Sequence, residues 1–209
     1  LLEEALVFIG VFDDLDAVVG DRPADHAAAV RDAQAFDVLR PDGGAADQVL
    51  AGFVQQKQGS RLDIEQLHDV AEGLADLALE DWRRTVDSHL TGAFLMTRAA
   101  IPRFRSPAAI VNMVSTRAFM SEPNTEAYAA SKGALETFTT GLAKEVAREG
   151  IRVNGVRPGH IYTEMHASGG EPDRVNRVRE SIPMGRGGQP EEVARAILWL
   201  ASEEASFST

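Results

Sequence analysis

The chain has 209 residues, enough for one sizeable core and short for two, so it reads as a single domain over 1–209. Lys plus Arg number 21 against 32 Asp plus Glu, a formal charge of −11, which disfavours nucleic acid as a partner and makes a small molecule the natural one. There is no Cys, which fits a reducing cytoplasm without disulfides or thiolate zinc; no apolar stretch approaches the roughly 20 residues of a membrane span, and the N-terminal Leu-Leu-Glu-Glu lacks the basic start of a secretory signal.

Strand-like apolar runs alternate with longer helical patterns along the chain, which argues for βαβ units: an α/β protein with a doubly wound parallel sheet flanked by helices. Residues 5–10 (ALVFIG) can be a first strand and turn. Residues 17–21 (AVVGD) read as a buried strand ending in an acid, 23–34 as a helix with Pro23 in its first turn, 36–39 as a short strand and 46–56 as a helix stopped near Gly59. One long helix is expected over 80–104, with Val86, Leu90, Phe94 and Ala100 on one stripe. Residues 110–114 form a β-branched strand, 127–149 a second long helix ended by Gly150, and 151–156 another strand. The turn Gly187-Gly188-Gln189-Pro190 precedes an amphipathic helix over 191–201.

Ligands bind open α/β sheets outside the carboxyl ends of the strands, and Ser115 and Pro158-Gly159 both fall there. Tyr128 and Lys132 stand at i and i+4, on one face of the second long helix, thirteen residues beyond Ser115. An ammonium beside a phenol favours the phenolate, so a Tyr that would titrate near 10 in isolation can act as acid or base near neutrality. Ser115 adds the donor that a developing oxyanion needs. Residues 162 to about 183 are polar, contain Gly169-Gly170 and lack periodicity; a mobile lid and a plain surface excursion suit this stretch equally. His68, His89, His160 and His166 show no metal-ligand spacing.

Three motifs in this order, 110–115 (IVNMVS), 128–132 (YAASK) and 151–159 (IRVNGVRPG), resemble the short-chain dehydrogenase/reductase family. The similarity is dense over 74–208. It implies a Rossmann-like fold and an NAD(P)-dependent oxidoreductase interconverting a secondary alcohol and a ketone. In that family pattern Tyr128 exchanges a proton with the substrate oxygen, Lys132 lowers the Tyr pKa and binds the nicotinamide ribose, and Ser115 polarises the carbonyl. Pro158 and Gly159 let backbone approach the nicotinamide ring, with the main chain of Ile161 and the hydroxyl of Thr163 on its carboxamide or on pyrophosphate. His89 stands where the family usually carries an Asn that holds a water linking the Lys to solvent; with one donor and one acceptor nitrogen and a pKa near neutrality it can replace that relay, and a packed structural His reads equally well. The two long helices imply a symmetric homodimer or homotetramer.

The cofactor half is thinner. The glycine-rich turn that seats pyrophosphate on a helix N-terminus is missing from its expected place, unless residues 5–10 with their one glycine stand in for it. Asp21 falls where an acid accepts the adenosine ribose hydroxyls, which favours NAD over NADP, and Asp42 near the family's adenine-contacting acid; exposed turn acids read as well. Residues 67–71 (LHDVA) stand where the family has Asn-Asn-Ala-Gly. The alternative to an enzyme is therefore a shortened homologue that keeps the fold and a structural or oligomeric role without turnover.

Overall fold

The computed structural model describes residues 5–9, 49–52, 73–104, 106–163, 165–168 and 171–209. Its described strands are β1 (Ala5–Ile9), β2 (Val49–Gly52), β3 (Ala108–Met113) and β4 (Ile151–Val156), all parallel, in the order β2-β1-β3-β4. The strand expected over 5–10 is present and lies beside β3. The helix expected over 46–56 is not: 49–52 pairs with β1 as a strand. A short apolar run fits either period, and pairing in the sheet decided it. The elements expected over 17–21, 23–34 and 36–39 lie outside the described residues.

β3 (AAIVNM) is buried along nearly its whole length, the near-continuous apolar run of a parallel strand covered on both faces. Alternation then sorts its side chains. Ala108, Ile110 and Val114 join Ile151 and Val153 of β4 in one cluster, packed by α2 (Gly92–Ala100) through Ala93, Met96 and Ala100 and by α3 (Glu126–Val146) through Leu135, Leu142, Ala143 and Val146. Ala109 and Val111 face the other way, against Ile197 and Ala201 of α6 (Pro190–Ala201). The sheet thus has helices on both faces. Each large aliphatic side chain so buried contributes about 1.5–3 kcal/mol.

The first long helix is interrupted rather than continuous. α1 (Leu79–Val86) runs into a π-helical turn over Asp87–Thr91, α2 follows, and a 3-10 turn over Ile101–Arg103 closes it at Pro102. Single π turns inside α-helices are frequent at functional sites, and this one carries His89. α3 begins one residue earlier than expected and ends through a 3-10 turn over Ala147–Glu149 at Gly150, whose left-handed φ of 74° is the glycine helix stop. A Cβ on Gly150 would collide with Ser106 Oγ, while its carbonyl accepts the Ala108 amide at 3.1 Å, so the helix end is seated directly on the start of β3.

At the far end of α6, Arg152 of β4 donates to the carbonyls of Leu200 (2.7 Å), Ser202 (3.0 Å) and Ala205 (3.1 Å). The Leu200 carbonyl is one that the helix end leaves without an intrahelical partner, the other two belong to the turn that follows, and a guanidinium there also opposes the negative pole of the helix. One side chain thereby fixes α6 to the edge of β4.

Beyond β4 the chain leaves the sheet and returns. Ile161 forms a parallel bridge with Gly188, built from the bonds Gly188 N to His160 O (2.9 Å) and Tyr162 N to Gly188 O (2.9 Å). Between these points lie α4 (Met165–Ser168), α5 (Arg174–Val178) and a 3-10 turn over Arg179–Ser181, so the stretch expected to lack pattern contains short helices.

Candidate active site

Lys132 is the centre of the arrangement. It is 5% exposed, and its Nζ donates to the Met113 carbonyl, at the carboxyl end of β3, over 2.8 Å. A buried ammonium needs such partners. The same Nζ lies 5.6 Å from the centroid of the Tyr128 ring, one turn back on α3. Two residues beyond Met113 the Ser115 side chain is also buried; its Oγ accepts the Arg117 amide at 3.1 Å, which anchors the 3-10 turn Thr116–Ala118. That turn lies under α3, for a Cβ on Gly133 would sit 3.4 Å from Ala118 O. Ser115, Tyr128 and Lys132 are therefore drawn to one rim, between the end of β3 and the first turns of α3.

His89 joins them from the π turn. Its ring meets the Tyr128 ring edge to face, centroids 5.0 Å apart at 84°. Burial, and then the Lys132 charge, hold its pKa well below the ordinary 6.5, so the imidazole is neutral at pH 7. Titration near neutrality, expected from the sequence, is corrected here by desolvation. Its Nδ1 is buried and has no hydrogen-bond partner among the described residues.

The second strand end supplies the neighbouring surface. The Pro158 carbonyl accepts the Thr116 amide at 3.2 Å, which ties the Arg157-Pro158-Gly159 turn to the Ser115 loop. A Cβ on Gly159 would meet nothing within 4 Å, so its backbone is open to a flat ligand. Since the bridge to Gly188 uses His160 O and Tyr162 N, the peptide edge of Ile161 is turned away from it; the Ile161 carbonyl meets His166 Nε2 at 2.9 Å. Thr163 is exposed. The open glycine and the Ile161 amide are the groups here that could hold the nicotinamide half of a dinucleotide. Asp21 and Asp42, proposed for its adenosine half, lie outside the described residues, as do residues 67–71.

Two features of this rim carry no signal in the sequence alone. Asn112, fully buried in β3, donates to Thr139 Oγ1 at 2.8 Å and so pins α3 to the strand two residues before Val114. Arg117, Glu122 and Arg174 form a shared ion pair beside Ser115. The strand-end rule could have pointed to Arg117; nothing local pointed to Arg174.

The parallel sheet is covered by helices on both faces and carries a buried Lys, a Tyr and a Ser at the carboxyl rim where open α/β sheets bind ligands. The family model described as enoyl-(acyl carrier protein) reductase matches residues 51–209, and the chain belongs to the short-chain dehydrogenase/reductase family. The chain is 54% identical over 140 residues to the uncharacterized oxidoreductase YgfF of Escherichia coli (strain K12), covering 64% of this chain and 57% of that protein. Glucose 1-dehydrogenase 2 of Bacillus subtilis (strain 168) is 37% identical over 137 residues, with 64% and 53% covered. The crystal structure of the TT0495 protein from Thermus thermophilus superposes with a TM-score of 0.61 at 36% identity, over 66% of this chain and 60% of that one. The chain thus spans little more than half the length of these relatives. No helix among the described residues is long and apolar enough to cross a membrane.

Proposed function

We propose that the protein is an NAD(P)-dependent oxidoreductase that interconverts a secondary alcohol and a ketone. The observation that supports this best is Lys132, buried between the Tyr128 ring and the Met113 carbonyl beside Ser115. When bound, the nicotinamide dinucleotide supplies or accepts the hydride; Lys132, Pro158, Gly159, Ile161 and Thr163 would hold it. Tyr128 gives its phenolic proton to the substrate oxygen in reduction and takes it back in oxidation. Lys132 places a positive charge beside that phenol, which favours the phenolate. Ser115 accepts the Arg117 amide through a lone pair, which leaves its hydroxyl hydrogen to donate to the substrate oxygen. His89, neutral and carrying one donor and one acceptor nitrogen, serves as a proton relay behind Tyr128.

A dehydrogenase of glucose among the relatives favours hydroxyl-bearing substrates; the family model's description makes an enoyl thioester the competing class. NAD is preferred if Asp21 takes the ribose position. We also infer a symmetric homodimer or homotetramer through α2 and α3, supported by Phe94 and Leu95 on α2, each 42% exposed. The test is titration of the purified chain with NADH and NADPH by fluorescence, then a panel of secondary alcohols, ketones and enoyl thioesters. Saturable binding with turnover of an alcohol or ketone is expected. Absence of saturable binding at millimolar cofactor overturns the reading.

A further inference from the structure

Three charged side chains connect parts of the chain that the proton chemistry leaves separate. Arg117 stands two residues beyond Ser115, Glu122 in the loop that leads on to α3, and Arg174 at the start of α5 in the excursion between Ile161 and Gly188. The two oxygens of Glu122 are divided between them: Arg117 Nη2 meets Oε1 at 2.6 Å and Arg174 Nη2 meets Oε2 at 2.7 Å. Glu122 is itself anchored. Its amide donates to Thr125 Oγ1 at 3.2 Å, and that hydroxyl donates back to the Glu122 carbonyl at 2.8 Å, immediately before α3 and three residues ahead of Tyr128. The base of the excursion is held separately by the bridge at Gly188 and by Gly187, where a Cβ would collide with Val175 Cγ1.

We propose that Glu122 is a clasp that holds the segment from Glu171 to Gly188 against the Ser115 loop, and that its release frees the segment from that loop. At its base the segment is also held by the buried Val175 against Gly187 and by the Tyr162 hydroxyl, which donates to Asn176 Oδ1 at 3.1 Å; the tie from Arg174 to the Ser115 loop is ionic, so its release leaves the sheet and the helices intact. The second tie of Arg174, to Glu171 at 3.4 Å, and that of Arg177 to Glu171 at 2.8 Å lie within the segment and stay with it when it moves. The two guanidiniums hold the Glu122 carboxyl below the ordinary carboxylate range, which keeps the clasp charged well into mild acid. Exposed ion pairs are screened by salt, so the clasp weakens as ionic strength rises.

The clasp does not depend on the oxidoreductase reading, and its test needs neither substrate nor cofactor. Amide hydrogen exchange of the full chain, followed by mass spectrometry at 50 mM and 1 M NaCl, separates the two. In the wild type, peptides within 171–182 should exchange about two- to fivefold faster at high salt, with β3 and α3 unchanged. Glu122→Gln and Arg174→Gln should each give the faster exchange already at low salt and lose the salt response, and the double variant should add nothing further. Wild-type exchange in both single variants, additive effects in the double variant, or loosening spread equally over β3 and α3 would overturn the proposal.

Discussion

Lys132 Nζ stands 2.8 Å from the Met113 carbonyl oxygen and 5.6 Å from the centre of the Tyr128 ring, so one ammonium joins the end of a strand to the phenol on a helix. The phenol is a local neighbour, one helical turn back, whereas Met113 lies nineteen residues away and is brought to the ammonium by the fold. In the proposed chemistry this charge acts on the Tyr128 phenol.

Replacing Tyr128 by Phe keeps the ring and its contact with His89 but removes the transferable proton. Turnover in the cofactor-dependent assay should fall by about 10²- to 10⁴-fold with cofactor affinity unchanged. Lys132→Ala should lower both. Steady-state rates and the NADH titration read the two effects apart, and a fully active Tyr128→Phe would end the proposed chemistry.

His89 makes stability depend on pH in a definite direction. Its folded-state pKa lies below the ordinary 6.5, so between the two values the unfolded chain binds the extra proton. Its contribution is complete above 6.5 and declines as pH falls through the window beneath it. Urea unfolding from about pH 7.5 downward should show this loss, and His89→Asn, which has no titrating group, should flatten it. Parallel pH profiles for the two proteins would refute the assignment.

Glu192 behaves in the opposite range. Arg186, through two bonds of 2.7 Å, and the Gln189 amide at 2.8 Å hold its pKa at about 2 instead of 4.5. Its contribution is present above 4.5 and disappears as pH drops toward 2. Both partners are exposed, so the effect is small. Glu192→Gln should be less stable than the wild type at about pH 6 and indistinguishable from it near pH 2 in thermal melts.

Gly187 leaves no room for a methyl group: a Cβ there would collide with Val175 Cγ1 and would lie 3.0 Å from Tyr162 Cε2 and 3.2 Å from the His160 carbonyl oxygen. Gly187→Ala should cost about 1–3 kcal/mol in chemical denaturation. Gly159→Ala, with nothing within 4 Å, makes the control and should cost far less.

Much of this was legible in residue order because it is local. The i, i+4 step from Tyr128 to Lys132, the alternation of β4, the stop at Gly150 and the Gly-Gly-Gln-Pro entry to α6 each follow from one element's own geometry. Tertiary context settled what local pattern leaves ambiguous. Residues 49–52 became a strand because a neighbouring strand offered its hydrogen-bonding edge, and the helix over 80–104 took in a π turn at His89. His89 lost its neutral-range titration to burial beside Lys132, an environment assembled from two separate elements, the π turn and α3. The Arg117–Glu122–Arg174 clasp likewise joins charges 52 residues apart, and only the folded path of the chain could bring them within reach. Periodicity is a property of neighbours along the backbone; desolvation and ion pairing are properties of neighbours in space, so the first is written in the sequence and the second arises on folding.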